Sequence, residues 1–136
     1  MVEFNQKTLN AFVLKSRKPF EKDLTSLVKL PTVSADRERT KEFEEAAGLA
    51  VKMLKELGAE AESVATDGNP VVMASLGNDS THPTVLIYNH LDVQPADPSE
   101  WEHDPFSLTI TKDRYIGRGA TDDKGPALTA LYAVKY

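Results

Sequence analysis

The stretch TVLIYNHLD, residues 84–92, decides the predicted fold. Four consecutive apolar β-formers, residues 85–88, follow Thr84, and prolines flank the stretch on both sides. Such a run predicts a strand that is buried on both faces. Because side chains alternate along a strand, His90 and Asp92 should leave it on the same side. A histidine and a carboxylate at the end of a buried strand suit a metal site, in which the carboxylate fixes the tautomer of the imidazole.

The composition limits the class of protein. A chain of 136 residues, 40% hydrophobic and 27% charged, is long enough for one domain with a core. Its net charge of −5 argues against nucleic acid as the main partner, because phosphate binding requires a basic surface. No apolar run approaches the roughly 20 residues that cross a bilayer, and no signal peptide is evident, so we expect no membrane association and a cytoplasmic location. With no cysteine present, His, Asp and Glu remain as metal ligands.

Apolar residues recur at helical spacing over most of the first 57 residues. Residues 4–30 predict two helical pieces, because Pro19 suits the first turn of a second helix. After a short linker, Ser34 or Asp36 is available as the N-cap of the next helix. The apolar stripe of that helix is Phe43, Ala47, Ala50, Leu54 and Leu57. Gly58 then stands where a C-terminal cap belongs, so this helix is the clearest predicted element.

From Ala59 the apolar period changes from helical to alternating. The predicted strands are 60–66 and 70–76 with a turn at 67–69, a second turn at 77–79, the central strand 84–91, and a strand or hairpin at 108–116. Residues 93–107 predict a long loop, and a last helix is predicted from near Asp122. The expected fold is α/β, with helices packed on a mixed, largely parallel sheet and the metal site at the carboxyl ends of its central strands.

A glycine-rich turn, GRGATDDKG at residues 117–125, is the second motif. It is not a dinucleotide fingerprint, because Asp122 stands where the third glycine belongs, and Lys124 lacks the Ser or Thr that follows it in a P-loop. A turn of this kind suits a cation, for which Asp122 or Asp123 offers oxygen ligands. The alternatives are a helix N-cap for Asp122, and a solvated first helical turn for Asp123 and Lys124.

Together the two motifs resemble those of the M20 metallopeptidases, a family of dipeptidases, aminoacylases and deacylases. The resemblance extends over HLDVQP at 90–95, Trp101, DPF at 104–106 and PTVS at 31–34. The fuller pattern is most similar to the dipeptidase branch, the carnosinase-like enzymes. It implies that residues 1–136 are the N-terminal portion of a zinc-peptidase-like catalytic domain, without the lid domain and the C-terminal catalytic half.

The resemblance also implies a cofactor and a role for each site residue. The cofactor would be two divalent metal ions, zinc in the first place, with manganese or cobalt as alternatives. His90 would bind one metal, Asp122 would bridge both, and Asp92 would be the catalytic-site carboxylate that orients His90. The peptide bond between Asp122 and Asp123 would be cis. The substrate would be a dipeptide or an N-acyl amino acid, and the full-length protein could form a homodimer.

The sequence departs from the family pattern in two ways. Asn89 stands before His90 where glycine is common, which changes the backbone freedom but removes no ligand. The general-base glutamate, further acidic ligands and a last histidine have no counterpart, since His82 and His103 lie in a different context. We therefore expect a metal-dependent hydrolase of the M20 type whose 136 residues are inactive alone. The alternative is a non-catalytic fragment with a partial metal site.

Side chains beside the two motifs have structural interpretations. Arg118 is expected to pair with a nearby carboxylate rather than with substrate. Trp101 and Phe106 are expected to anchor the long loop by packing, because large aromatic side chains contribute most of the contact area in such loops. His103 is expected to be an exposed loop histidine.

Overall fold

The first helix, α1, spans Gln6–Val28 without interruption. The structure is a computed structural model that describes residues 5–36, 38–77 and 79–136, so the predicted helix start at residue 4 lies outside it. The side chain of Asn5 caps α1 by accepting hydrogen bonds from the amides of Lys7 and Thr8. Pro19 lies inside the helix, and the prediction of two separate pieces was wrong. Proline removes one backbone donor, and burial of the later apolar residues of the helix offsets that cost.

Helix α2 spans Thr40–Glu56, and its Phe43 and Ala47 are buried as the stripe predicts. The predicted N-cap was wrong, because Arg39 occupies that position and contributes no side-chain cap. Asp36 instead accepts a hydrogen bond of 2.9 Å from Nε of Arg39. Gly58 follows the helix with a φ of +87°, a conformation that glycine adopts at little cost, and it ends α2 as predicted.

The predicted hairpin after α2 is confirmed. Strand β1, Glu60–Val64, pairs antiparallel with strand β2, Val71–Ser75. Helix α2 packs against both strands. Asn78, in the predicted second turn, lies outside the described residues.

A second hairpin and a third helix complete the described chain. Strand β3, Thr109–Ile110, pairs antiparallel with β4, Tyr115–Ile116, which confirms the hairpin predicted at 108–116. The long loop before β3 contains one short 3₁₀ helix, Pro98–Glu100. Helix α3 spans Lys124–Lys135 and packs against α1. The core cluster combines all three helices: Leu24, Leu27, Val28, Met53 and Leu128. Within the described ranges, no helix has the length and apolar character that crossing a bilayer requires.

The predicted α/β class is confirmed, but the segment that led to it is not a paired strand. Residues 84–91 pair with no described strand, and the side chains of Val85, Leu86, Ile87 and Tyr88 are 79%, 90%, 51% and 83% exposed. Burial on both faces was therefore a wrong prediction, because no described segment supplies the neighbouring strands. Both described strand pairs are antiparallel. Parallel pairing is represented by one bridge, between Val33 and Val93.

Candidate functional site

The imidazole of His90 lies between two carboxylates. Its Nε2 is 3.1 Å from Oδ1 of Asp122, and its Nδ1 is 3.3 Å from Oδ1 of Asp92. Nδ1 also donates to the backbone carbonyl of Asp92, at 3.2 Å. The two predicted ligands, 32 positions apart in the sequence, thus meet in space, and Asp92 contacts the opposite ring nitrogen. The side chain of Asp122 is 82% exposed and that of His90 is 38% exposed, so the cluster is open to solvent.

The pKa of His90 is raised above its ordinary value. Burial alone would lower this pKa, but the hydrogen bond to the Asp92 carbonyl and the charges of Asp92, Asp123 and Asp122 outweigh that effect. The surroundings of the ring therefore favour positive charge. A metal ion binds the neutral imidazole and has to displace the second ring proton, and the carboxylates that compensate the charge of this proton would also compensate the charge of the ion.

Asp123 connects the two motifs. Its Oδ2 accepts hydrogen bonds from Nδ2 of Asn89, at 3.0 Å, and from the backbone amide of His90, at 3.2 Å. The peptide bond between Asp122 and Asp123 is cis, as the resemblance implied. The N-cap alternative for Asp122 was wrong, because Asp123 holds the N-cap position of α3 and its side chain makes no cap hydrogen bond. The sequence marks Asn89 as a departure from the family pattern, but nothing in it points to the contact of Asn89 with Asp123.

Lys124 is completely buried directly after this peptide bond. Its Nζ donates to the backbone carbonyls of Leu27, at 2.9 Å, and Leu30, at 2.6 Å. Burial lowers the pKa of Lys124 to about 8, although the charge of Asp92 opposes the shift. The solvated-turn alternative for Lys124 was wrong. A lysine in the first turn of a helix ordinarily predicts exposure, so no signal in the sequence pointed to this burial.

The glycines of the second motif allow its backbone to pass close beneath the site. Gly119 has a φ of +85°, and a Cβ there would lie 2.8 Å from Cγ1 of Val93. A Cβ at Gly125 would lie 2.1 Å from the carbonyl oxygen of Ala120. Both contacts are too short for any side chain. The glycine spacing therefore serves close packing, which agrees with the failure of the nucleotide fingerprint.

Residues 86–136 match the model of peptidase family M20/M25/M40. The chain is 41% identical over 133 residues to the Cys-Gly metallodipeptidase dug1 of Schizosaccharomyces pombe, covering 89% of this chain and 28% of that protein. It is 44% identical over 98 residues to the Beta-Ala-His dipeptidase of Rattus norvegicus, covering 63% of this chain and 20% of that protein. The structure superposes on the crystal structure of human carnosine dipeptidase 1 with a TM-score of 0.85 at 34% identity.

The predicted relationship to the M20 peptidases is confirmed. The structural match covers 92% of this chain and 29% of the human protein, so the chain spans less than a third of the M20 relatives named above. The matched region 86–136 contains both motifs, from His90 to Asp122. The relatives are metallodipeptidases or dipeptidases by name, which agrees with the metal-dependent peptidase class predicted from the motifs.

The described donor set is smaller than a complete metal site requires. His90 and Asp122 offer a nitrogen and an oxygen donor 3.1 Å apart, which suits two neighbouring positions around a divalent ion. In residues 5–36, 38–77 and 79–136, no group of three or more His, Cys, Asp or Glu side chains is arranged to hold a metal ion. A catalytic zinc normally takes three ligands from the protein. These residues therefore supply a partial set.

Arg118 and Trp101 hold the long loop against the second motif. Nη2 of Arg118 donates to the carbonyl of Pro95 at 3.1 Å, and its guanidinium lies 5.5 Å from the centroid of the Trp101 ring. The predicted carboxylate partner of Arg118 was wrong, since a backbone carbonyl and an aromatic ring take that place. The contact fits the predicted role of Trp101 as an anchor, and Phe106 is half-buried. His103 is exposed, as predicted.

Proposed function

We propose that this chain contributes His90 and Asp122 to the metal centre of a metal-dependent hydrolase that cleaves the amide bond of dipeptides or N-acyl amino acids. The proposal rests on one observation, the 3.1 Å approach of the His90 imidazole to the Asp122 carboxylate from the other motif. The names of the relatives, a Cys-Gly metallodipeptidase and a Beta-Ala-His dipeptidase, support the substrate class. The proposed cofactor is a pair of divalent ions, zinc first, with manganese or cobalt as alternatives.

Each proposed role follows from the chemistry of the side chain. Asp92 and its carbonyl hold the Nδ1 proton of His90, which in the neutral ring leaves the lone pair of Nε2 available to a metal ion bound beside Asp122. The two oxygens of Asp122 can each bind one ion, which a bridging ligand requires. Asp123 fixes the backbone of His90 through its amide. A bound divalent ion would supply the Lewis acid that polarises the scissile carbonyl and lowers the pKa of a water molecule.

The second candidate function is a non-catalytic fragment with a partial metal site. It is favoured by the absence, in the part of the chain that the structure describes, of any group of three or more metal-binding side chains. It leads to the expectation that the 136 residues alone do not turn over dipeptides. Turnover of a dipeptide by the 136-residue chain with added zinc would contradict this candidate, and its retention in His90→Ala would also contradict the site assignment.

The metal assignment is tested by titrating the full-length protein with zinc and measuring binding by calorimetry. His90→Ala and Asp122→Asn should each weaken zinc binding by at least about tenfold, because each removes one ligand. His103→Ala is the matched control, since it removes an exposed histidine far along the loop. Unchanged zinc affinity in His90→Ala, or an equal loss in His103→Ala, would refute the proposal.

A further inference from the structure

Two polar side chains that bind backbone close to the two motifs are fully buried. Among the described residues, Thr32 and Lys124 are the buried residues with polar or charged side chains, and both are completely buried. Burial of a hydroxyl and an ammonium is costly unless each is hydrogen-bonded. Their hydrogen bonds therefore indicate which parts of the chain they hold together.

Lys124 joins the second motif to the end of helix α1. Its Nζ donates to the carbonyls of Leu27 and Leu30, at 2.9 and 2.6 Å. Leu27 lies in the last turn of α1, and Leu30 lies two residues beyond its end. Carbonyls at the C-terminus of a helix carry partial negative charge, so an ammonium group binds there well. The backbone amide of Lys124 donates to the carbonyl of Gly119 at 2.9 Å. The residue that follows Asp123 is thereby fixed at both its side chain and its amide.

Thr32 joins the first motif to the same support. Its hydroxyl donates to the carbonyl of Leu91, and its own carbonyl accepts from the amide of Val93 at 2.8 Å. These two contacts lie on either side of Asp92 in the sequence. The amide of Thr32 donates to the carbonyl of Leu30 at 2.9 Å, the same carbonyl that accepts from Lys124. The two buried residues thus share one acceptor.

We infer that Thr32 and Lys124 are positioning residues that set the distance between the His90–Asp92 segment and the Asp122–Asp123 segment through the carbonyl of Leu30. The inference deepens the proposed function and rests on it, since the positioned groups are the proposed metal ligands. Neither residue touches the His90 imidazole or the Asp122 carboxylate through a side-chain hydrogen bond. Their effect on metal binding is therefore indirect and acts through the backbone.

Cobalt titration separates positioning from plain stabilisation of the core. The visible absorption of bound Co²⁺ depends on the geometry of its ligands, whereas the melting temperature of the metal-free protein reports stability. The variant Thr32→Val removes the hydroxyl at nearly constant volume, and Thr32→Ser restores it. The matched control is Thr25→Val on α1, which removes an exposed hydroxyl bound to the carbonyl of Glu21 at 2.7 Å.

Thr32→Val in the full-length protein should weaken Co²⁺ binding by about tenfold and change the absorption of the bound ion. Thr32→Ser should return both to wild-type values, and Thr25→Val should change neither. Lys124→Met, which keeps the apolar stem, should shift the cobalt spectrum as Thr32→Val does. If Lys124→Met does not fold, the comparison of Thr32→Val with Thr32→Ser decides the inference.

Wild-type cobalt affinity and spectrum in Thr32→Val, or failure of Thr32→Ser to restore them, would overturn the inference. His90→Ala distinguishes this failure from failure of the proposed function. If His90→Ala loses cobalt while Thr32→Val keeps it, the positioning inference alone is wrong. If His90→Ala also binds cobalt normally, the proposed metal site itself is wrong.

Discussion

The two sides of His90 differ although the sequence predicts a single strand through both. On the carboxyl side, Thr32 binds the backbone at Leu91 and Val93, and Val93 is buried. On the amino side, the four apolar side chains of residues 85–88 are exposed and no described strand pairs with them. An apolar run therefore indicates a preference for burial, while burial itself depends on which segments lie alongside.

The largest expected effect is on the stability of the glycine-rich second motif, which packs tightly behind the carboxyl side of His90. Gly125→Ala should lower the free energy of unfolding by about 3 kcal/mol, because the added Cβ would lie 2.1 Å from the carbonyl oxygen of Ala120. Gly48→Ala in α2 is the control, since a Cβ there meets nothing within 4 Å and alanine favours helix by up to about 1 kcal/mol. Urea denaturation measures both. Equal stability of the two variants would show that the turn is loosely packed.

Substitution of one valine on each side of His90 compares how much burial on the two sides contributes to stability. Val93→Ala should lower the free energy of unfolding by about 2 kcal/mol, because it removes buried methyl groups and leaves a cavity. Val85→Ala should change it by less than about 0.5 kcal/mol, because that side chain is exposed. The measurement is urea denaturation of both variants under one set of conditions. A larger loss of unfolding free energy for Val85→Ala than for Val93→Ala would show that the amino side of His90 is the buried one.

The exposed side should affect association rather than stability. Apolar, uncharged extended segments promote pairing between chains, so Leu86→Lys should reduce concentration-dependent light scattering of the 136-residue chain. Its free energy of unfolding should stay within about 0.5 kcal/mol of wild type. Leu14→Lys, at an exposed position of α1, is the control and should reduce scattering less. Unfolding of the Leu86→Lys variant would instead place this residue in the core.

The smallest expected effect is a pH dependence of stability, which comes from the contact of Glu21 on α1 with Tyr115 on β4. The hydrogen bond from Arg17 lowers the pKa of the Glu21 carboxyl, burial opposes the shift, and a hydrogen bond from Tyr115 adds to it. Because the folded pKa lies below the unfolded one, this contribution to stability is present above the ordinary carboxyl pKa. It is lost as the pH falls through the lowered value. Glu21→Gln should remove this acid-side loss in melting curves between pH 3 and 7, and an unchanged slope would contradict the contact.

Local patterns predicted the elements that are stabilised by their own neighbours in sequence. The stripe from Phe43 and the glycine at position 58 gave α2 and its end, and the turn at 67–69 gave the hairpin of β1 and β2. The approach of His90 to Asp122 followed from the two motifs together. The helix and the hairpin depend on interactions between residues close in sequence. The approach of His90 to Asp122 could be predicted because the pair of motifs is specific to one family.

The features that could not be predicted depend on distant partners. Pro19 is tolerated inside α1 because the residues after it pack on α3, which no local rule contains. Lys124 is buried because the carbonyls of Leu27 and Leu30 lie within reach of its Nζ, about a hundred positions away in sequence. Residues 85–88 have the composition of a central strand but lack strand neighbours among the described residues. In each case the tertiary contact overrides the local preference.

The stacking of Arg118 on Trp101 gives the protein an internal optical reporter. Trp101 is the single tryptophan of the sequence, so all of the indole emission comes from one ring, whose face lies against a guanidinium. Its wavelength and quenching therefore follow the attachment of the 93–107 loop to the glycine turn, with no label and no background from other indoles.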